Sequence, residues 1–110
     1  MPTATRPHTA ALSRLGHALA DPTRAGVLLA LRDGPAYPTD LAEALGVSRQ
    51  VMSNQLTCLR GCGLVVADIQ GRRSSYRLAD PALAGALDTL LDTTLTLEPE
   101  CCSEEQCRCS

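Results

Sequence analysis

Gly46 separates two short amphipathic stretches that cannot belong to one continuous helix, and this break constrains the fold more than any other feature of the chain. On its N-terminal side, Thr39-Asp40-Leu41-Ala42-Glu43-Ala44-Leu45 reads as a short amphipathic helix that Gly46 closes. On its C-terminal side Ser48 is a good N-cap, because its hydroxyl can accept from a free backbone N–H one turn on. Met52, Leu56 and Leu59 then recur at i, i+4 and i+7 as one apolar stripe. Arg49, Gln50, Ser53, Asn54 and Thr57 fall off that stripe. Asn and Gln pair with adenine edges, Ser and Thr with bases or phosphate, and Arg with guanine or phosphate. Helix, tight glycine turn and polar-faced helix make up the helix-turn-helix pattern, whose second helix enters a major groove. The plain alternative is a helical hairpin with a solvated polar face.

The same second helix carries Cys58 and Cys62, one turn apart on one face. Two thiolates placed so can reach one metal ion, although small buried cysteines are also common in cores. The end of the chain bears on that choice. Glu98-Pro99-Glu100-Cys101-Cys102-Ser103-Glu104-Glu105-Gln106-Cys107-Arg108-Cys109-Ser110 has almost no apolar residue besides its cysteines and cannot pack a core of its own. Ligation is the simplest use for exposed cysteines in such a tail.

The rest of the chain reads as support. Residues 1–10 are expected to be a flexible start, 11–97 a single folded domain, and 98–110 a Cys-rich tail. Ala11, Leu12, Leu15, Ala18 and Leu19 form a helical stripe. Asp21-Pro22 starts a second helix, with Asp as cap and Pro in the first position, and Val27, Leu28 and Leu31 continue it to Gly34. After Gly63 the period changes. Leu64 to Ile69 is strand-like, Gln70-Gly71 is a turn, and Arg72 to Leu78 alternates as a second strand. Arg72 and Arg73 near the tip of such a hairpin suit a phosphate backbone or a minor groove. Asp80-Pro81 caps a last helix whose Leu83, Leu87, Leu90, Leu91 and Leu95 make one side strongly apolar. A homodimer interface, shared with the first helix, is the natural use for that side; completion of the monomer core is the alternative. The expected fold is mainly α with a β-hairpin wing: a homodimeric winged helix-turn-helix.

The formal net charge of −2 hides a polarity along the chain. Between Ala44 and Ala79, Arg49, Arg60, Arg72, Arg73 and Arg77 stand against Asp68 alone, whereas from Asp80 onward seven acids face Arg108. The middle is basic and the end acidic. No apolar run approaches a membrane span and no signal peptide is visible, so the expected place is the cytoplasm, without a membrane partner. In a reducing cytosol, 6 cysteines read as metal ligands or redox thiols before disulfides. No nucleophile–base–acid set or phosphate loop is present, so the chain is not expected to be an enzyme.

Several stretches together resemble the ArsR/SmtB family of metal-sensing transcriptional repressors. They are Leu19-Ala20-Asp21-Pro22-Thr23-Arg24, Asp40 to Ser48, Leu59-Arg60-Gly61-Cys62-Gly63-Leu64-Val65, and Gly71-Arg72-Arg73 with Tyr76 in the wing; the resemblance spans roughly residues 10 to 97. Thr57 to Val66 is most similar to the family's CmtR subgroup of cadmium and lead sensors. The resemblance implies a dimer on double-stranded operator DNA, contacted by Ser48, Arg49, Gln50, Ser53, Asn54, Thr57, Arg72, Arg73 and Tyr76. It also implies a metal site in which Cys58 and Cys62 are joined by one cysteine of the partner subunit's tail, for which Cys102 or its neighbour Cys101 stands in the expected place. The chain departs from the family in three respects. A Cys-Val-Cys pair is absent, Asp88 and Asp92 have no accompanying histidine in the last helix, and Cys107 and Cys109 are additional.

Three thiolates without histidine or clustered carboxylates favour soft ions: cadmium, lead or trivalent arsenic. Zinc usually completes four ligands, which a further tail thiolate could supply. Metal joining a recognition helix to a tail would disturb the spacing of about 34–36 Å that two such helices need in successive major grooves. Two alternatives stay open on the same scaffold: an arsenite-responsive repressor using the tail cysteines, and a thiol redox-sensing repressor. A metal-storage protein would leave Arg72, Arg73 and the polar face from Ser48 to Thr57 without a use.

Overall fold

The computed structural model of the chain describes residues 2–95, with side chains from residue 8 onward. Five helices and one hairpin follow in the order α1 (Pro2–Leu19), α2 (Pro22–Ala30), a 3-10 turn (Leu31–Asp33), α3 (Pro38–Leu45), α4 (Arg49–Gly61), β1 (Val65–Gln70), β2 (Arg73–Leu78) and α5 (Ala82–Leu95). Helix α1 already begins at Pro2, so the stretch expected to be a flexible start is largely helical. Pro2 holds the first helical position, where its missing N–H costs no hydrogen bond, because that N–H has no intrahelical partner in any case.

The boundaries elsewhere follow local chemistry. Asp21 caps α2 by accepting from the backbone N–H of Arg24 at 3.1 Å, with Pro22 in the first position. Gly46 closes α3 in the left-handed region at φ 67°, and the Val47 N–H reaches back to the Ala42 carbonyl at 3.0 Å. That geometry favours glycine and satisfies a carbonyl that the helix end would otherwise strand. Ser48 caps α4, accepting from the Val51 N–H at 3.1 Å.

The strands pair antiparallel from Val65↔Leu78 to Gln70↔Arg73, which leaves Gly71 and Arg72 as a two-residue turn. Gly71 has φ 65°, as such turns require. Ala36 adds a short third bridge on the outer side of β2 through mutual backbone bonds with Tyr76 of 2.9 and 2.8 Å. This bridge anchors the wing to the segment just before α3.

One core holds these pieces together. It takes Ala18 from α1, Val27 and Leu28 from α2, Leu31 from the 3-10 turn, Leu41 and Ala42 from α3, Met52, Leu56 and Leu59 from α4, Val65 and Leu78 from the hairpin, and Leu87 from α5. Residue Leu87 therefore belongs to the monomer core, as does much of Leu83, and neither is a free interface residue. Arg32 pairs with Asp88 and fixes α5 to the 3-10 turn. What α5 and α1 leave outward is Leu12 at 70% exposure, Leu90 at 41% and Leu95 at 75%. No helix among the described residues is long and apolar enough to cross a membrane.

Candidate nucleic-acid interface and thiol site

Helix α4 separates two chemistries around one axis. Its core stripe, Met52, Leu56 and Leu59, is fully buried. On the outward side Ser48, Arg49, Gln50, Ser53, Asn54 and Thr57 are all exposed, as a surface that reads base edges must be. Three of these side chains make hydrogen bonds within the helix. Gln50 Nε2 donates to Asn54 Oδ1 at 3.1 Å, and the Thr57 hydroxyl donates to the Ser53 carbonyl at 2.9 Å. The first contact aligns two amides that could together face adenine; the second uses the hydroxyl proton of Thr57 inside the helix.

The wing stands beside this face. Arg72 is exposed in the turn. Arg73 is also exposed, but its guanidinium lies over the Tyr37 ring, while the Tyr37 hydroxyl donates to Gln70 Oε1 at 3.0 Å. Arg77 pairs with Asp68 at 2.8 Å across the two strands. Tyr76 differs from the other residues expected to meet DNA: it is half-buried and packs against the core, with its backbone bridged to Ala36.

Cys58 and Cys62 are both free, half-buried thiols. Helix α4 carries Cys58 in its last turn, and Cys62 is the capping residue, whose N–H still bonds to the Cys58 carbonyl at 3.0 Å. The two side chains are thus one helical turn apart on the flank between the polar face and the core stripe, where Cys58 follows Asn54 by four residues. Their donor set is sulfur alone: among the described residues no third His, Cys, Asp or Glu joins them to form a cluster. A two-thiolate half-site fits a soft ion that draws further sulfur from elsewhere, and does not fit calcium or magnesium. The expected third ligand, Cys102 or Cys101, lies outside the described residues, as do Cys107 and Cys109. Asp88, one of the two acidic residues in the last helix, is engaged with Arg32.

Three residues of this region escaped sequence reasoning. Gln55 was assigned to neither the polar face nor the core, yet its side chain accepts from Arg24 Nη1 at 3.1 Å across 31 residues of chain. Tyr37, between the second helix and the helix-turn-helix, was given no role, yet it carries the Arg73 guanidinium on its ring. Ile69, beside the wing turn, is 79% exposed. An apolar residue directly before the Gln70-Gly71 turn was the available signal for Ile69; non-local contacts such as that of Gln55 leave none.

Known proteins share this arrangement. The chain is 54% identical over 90 residues to the HTH-type transcriptional regulator CmtR of Mycobacterium tuberculosis, which covers 82% of this chain and 76% of that protein. The NMR structure of the cadmium metal-sensor CMTR from Mycobacterium tuberculosis matches with a TM-score of 0.67 at 50% identity, over 86% of this chain and 95% of that one. A homodimeric winged helix-turn-helix DNA-binding domain from Mycobacterium bovis matches with a TM-score of 0.74 at 28% identity, over 81% of this chain and 82% of that one. The sequence pattern described as bacterial regulatory protein, arsR family, covers residues 21–66, which run from the cap of α2 through the helix-turn-helix into β1. Both the fold and the sequence therefore place this chain in the arsR family of bacterial regulatory proteins.

Proposed function

We propose that this chain is a homodimeric, metal-responsive transcriptional repressor that works in the cytoplasm on double-stranded operator DNA. Helix α4 offers Ser48, Arg49, Gln50, Ser53, Asn54 and Thr57 to a major groove, and the wing offers Arg72 and Arg73 to the backbone. The inducer is a soft ion, cadmium or lead, bound by the thiolates of Cys58 and Cys62 together with a tail cysteine, Cys102 or Cys101. The observation that carries this reading is the placement of two free thiols on a flank of the same helix that carries the exposed polar row. A metal held there acts directly on the element that reads DNA. The similarity to the cadmium sensor supports the choice of ion.

The chain's own residues have defined tasks in this scheme. The thiolates lose their protons and ligate. The core stripe Met52, Leu56 and Leu59 transmits a displacement of α4 to the rest of the domain, because a close-packed core does not absorb it locally. Metal shifts the equilibrium only by the difference in its affinity for the two forms of the protein. The tail acids Glu98, Glu100, Glu104 and Glu105, drawn toward the DNA face with the tail, would add repulsion to the phosphates. The test is fluorescence anisotropy of the chain on DNA from upstream of its own gene, with and without cadmium in reducing buffer. Tight binding that cadmium relieves is expected. Binding that only an oxidant relieves would replace the metal reading with a redox switch.

A further inference from the structure

We infer that Arg24 is a positioning residue for operator binding, acting through Gln55 to hold the recognition helix at a fixed angle to the end of α1. The inference rests on the DNA-binding reading above and adds to it a residue that touches no DNA.

Arg24 is the third residue of α2, and its backbone is fixed by the Asp21 cap. Its guanidinium then makes three hydrogen bonds to two different helices. Nη2 donates to the His17 carbonyl at 2.8 Å and Nε to the Ala18 carbonyl at 3.2 Å. These carbonyls stand in the last turn of α1, where helix carbonyls lack intrahelical donors and a cation is favoured by the dipole. If Arg24 did only this, it would be an ordinary cap. The third donor, Nη1, goes instead to Gln55 Oε1 on α4 at 3.1 Å. Among the described residues this is the one side-chain hydrogen bond that joins α4 to another helix.

The placement gives the contact its consequence. Gln55, Cys58 and Cys62 fall at i, i+3 and i+7 on one flank of α4, so Arg24 grips the helix on the side away from its DNA face. The far end of the link is α1, which presents the exposed Leu12 that the dimer reading assigns to the subunit interface. A planar guanidinium with fixed donor directions sets an angle between its partners, which a flexible ammonium would not. The rotation of α4 about its own axis decides which side chains meet the bases, and its angle to the interface helix decides the separation of the two recognition helices in a dimer. The Arg24–Gln55 bond constrains both.

The experiment compares wild type, Gln55→Met, Arg24→Met and the double variant, each metal-free, on operator DNA and on random duplex of equal length. Gln55→Met leaves the α1 contacts of Arg24 in place and keeps the stem of the side chain, so folding is spared. Its operator affinity is expected to fall roughly 10- to 150-fold, the range for one hydrogen bond to a charged group, with random-duplex affinity unchanged. Arg24→Met should lose at least as much, and the double variant no more than Arg24→Met. Equal losses on both DNAs would mean general loosening and would overturn the inference. Additive losses in the double variant would mean that Gln55 touches DNA independently, and would overturn it as well. A wild type that does not distinguish operator from random duplex would remove the DNA-binding reading itself, and the inference with it.

Discussion

The guanidinium of Arg73 lies 3.7 Å from the centroid of the Tyr37 ring, so one arginine of the wing is seated on the residue that precedes α3. With the Tyr37 hydroxyl on Gln70 and Ala36 bridged to Tyr76, the hairpin is tied to the base of the helix-turn-helix at three points. The two adjacent arginines of the wing therefore have different work. Arg72 stands in the turn, and no contact from the Tyr37 ring reaches it.

That difference is measurable. Arg72→Ala is expected to weaken binding on all sequences alike and to lower the salt slope by about 1, as loss of one phosphate contact does, with thermal stability unchanged. Arg73→Ala is expected to weaken DNA binding and also to cost about 0.5–1 kcal/mol of stability, the range for an exposed cation–π contact. Tyr37→Leu should reproduce the stability loss. Equal melting curves for all three variants would show that the stacking contributes nothing.

Ser48 tests the start of the recognition helix. Its hydroxyl accepts from Val51 N–H, so Ser48→Ala is expected to cost about 1 kcal/mol in urea unfolding, and Ser48→Asp to retain most of that stability. Both changes lie on the side that the proposed function gives to DNA. Ser48→Asp, which places a negative charge near phosphate, should bind the operator worse than Ser48→Ala despite folding better. A matching rank in stability and affinity would mean that Ser48 serves DNA only through the helix.

Which of these features the sequence disclosed depends on how local their causes are. The stop at Gly46, the caps at Asp21 and Ser48, and the turn at Gly71 were legible because each is decided by one residue's backbone preference or by a side chain reaching three residues along. The apolar stripe of α5 was legible as a stripe, but its period does not say which surface it meets, and Leu87 turned out to face the monomer's own core. Contacts such as Arg24 to Gln55 or Arg73 to Tyr37 link elements whose relative placement only the packed core determines, and no period or spacing announces them.

The leucines of α1 and α5 give a prediction about assembly. Leu12 and Leu90 are exposed in the single chain, so Leu12→Asp or Leu90→Asp is expected to yield a folded monomer with native circular dichroism and to abolish tight operator binding. Leu87→Ala should act differently. Its side chain is buried, and a cavity there costs about 2–5 kcal/mol, so the fold itself weakens. Light scattering on the three variants separates the effects; a Leu12→Asp/Leu90→Asp double variant that stays dimeric would move the interface elsewhere.

The thiols give the last prediction, in which the order of effects matters more than their size. Cys58→Ser and Cys62→Ser are each expected to abolish the cadmium or lead response while leaving metal-free operator binding intact, because the two half-buried thiols stand outside the exposed polar row and bind the inducer rather than the DNA. Removing one thiolate from a three-sulfur site leaves too few soft donors to hold the ion, and a serine hydroxyl does not replace them. Cys102→Ser is expected to weaken the response strongly and Cys101→Ser less, since one tail sulfur completes the site and its neighbour can stand in part-way. Deleting residues 107–110 should matter least. Ultraviolet thiolate absorption during a metal titration reports how many sulfurs bind in each variant, independently of DNA. If Cys58 and Cys62 proved dispensable and the tail cysteines sufficient, the ion would be held apart from the recognition helix. Trivalent arsenic, small enough for three closely spaced tail sulfurs, would then displace cadmium and lead as the inducer, and release would have to come from the acidic tail's charge rather than from any pull on α4.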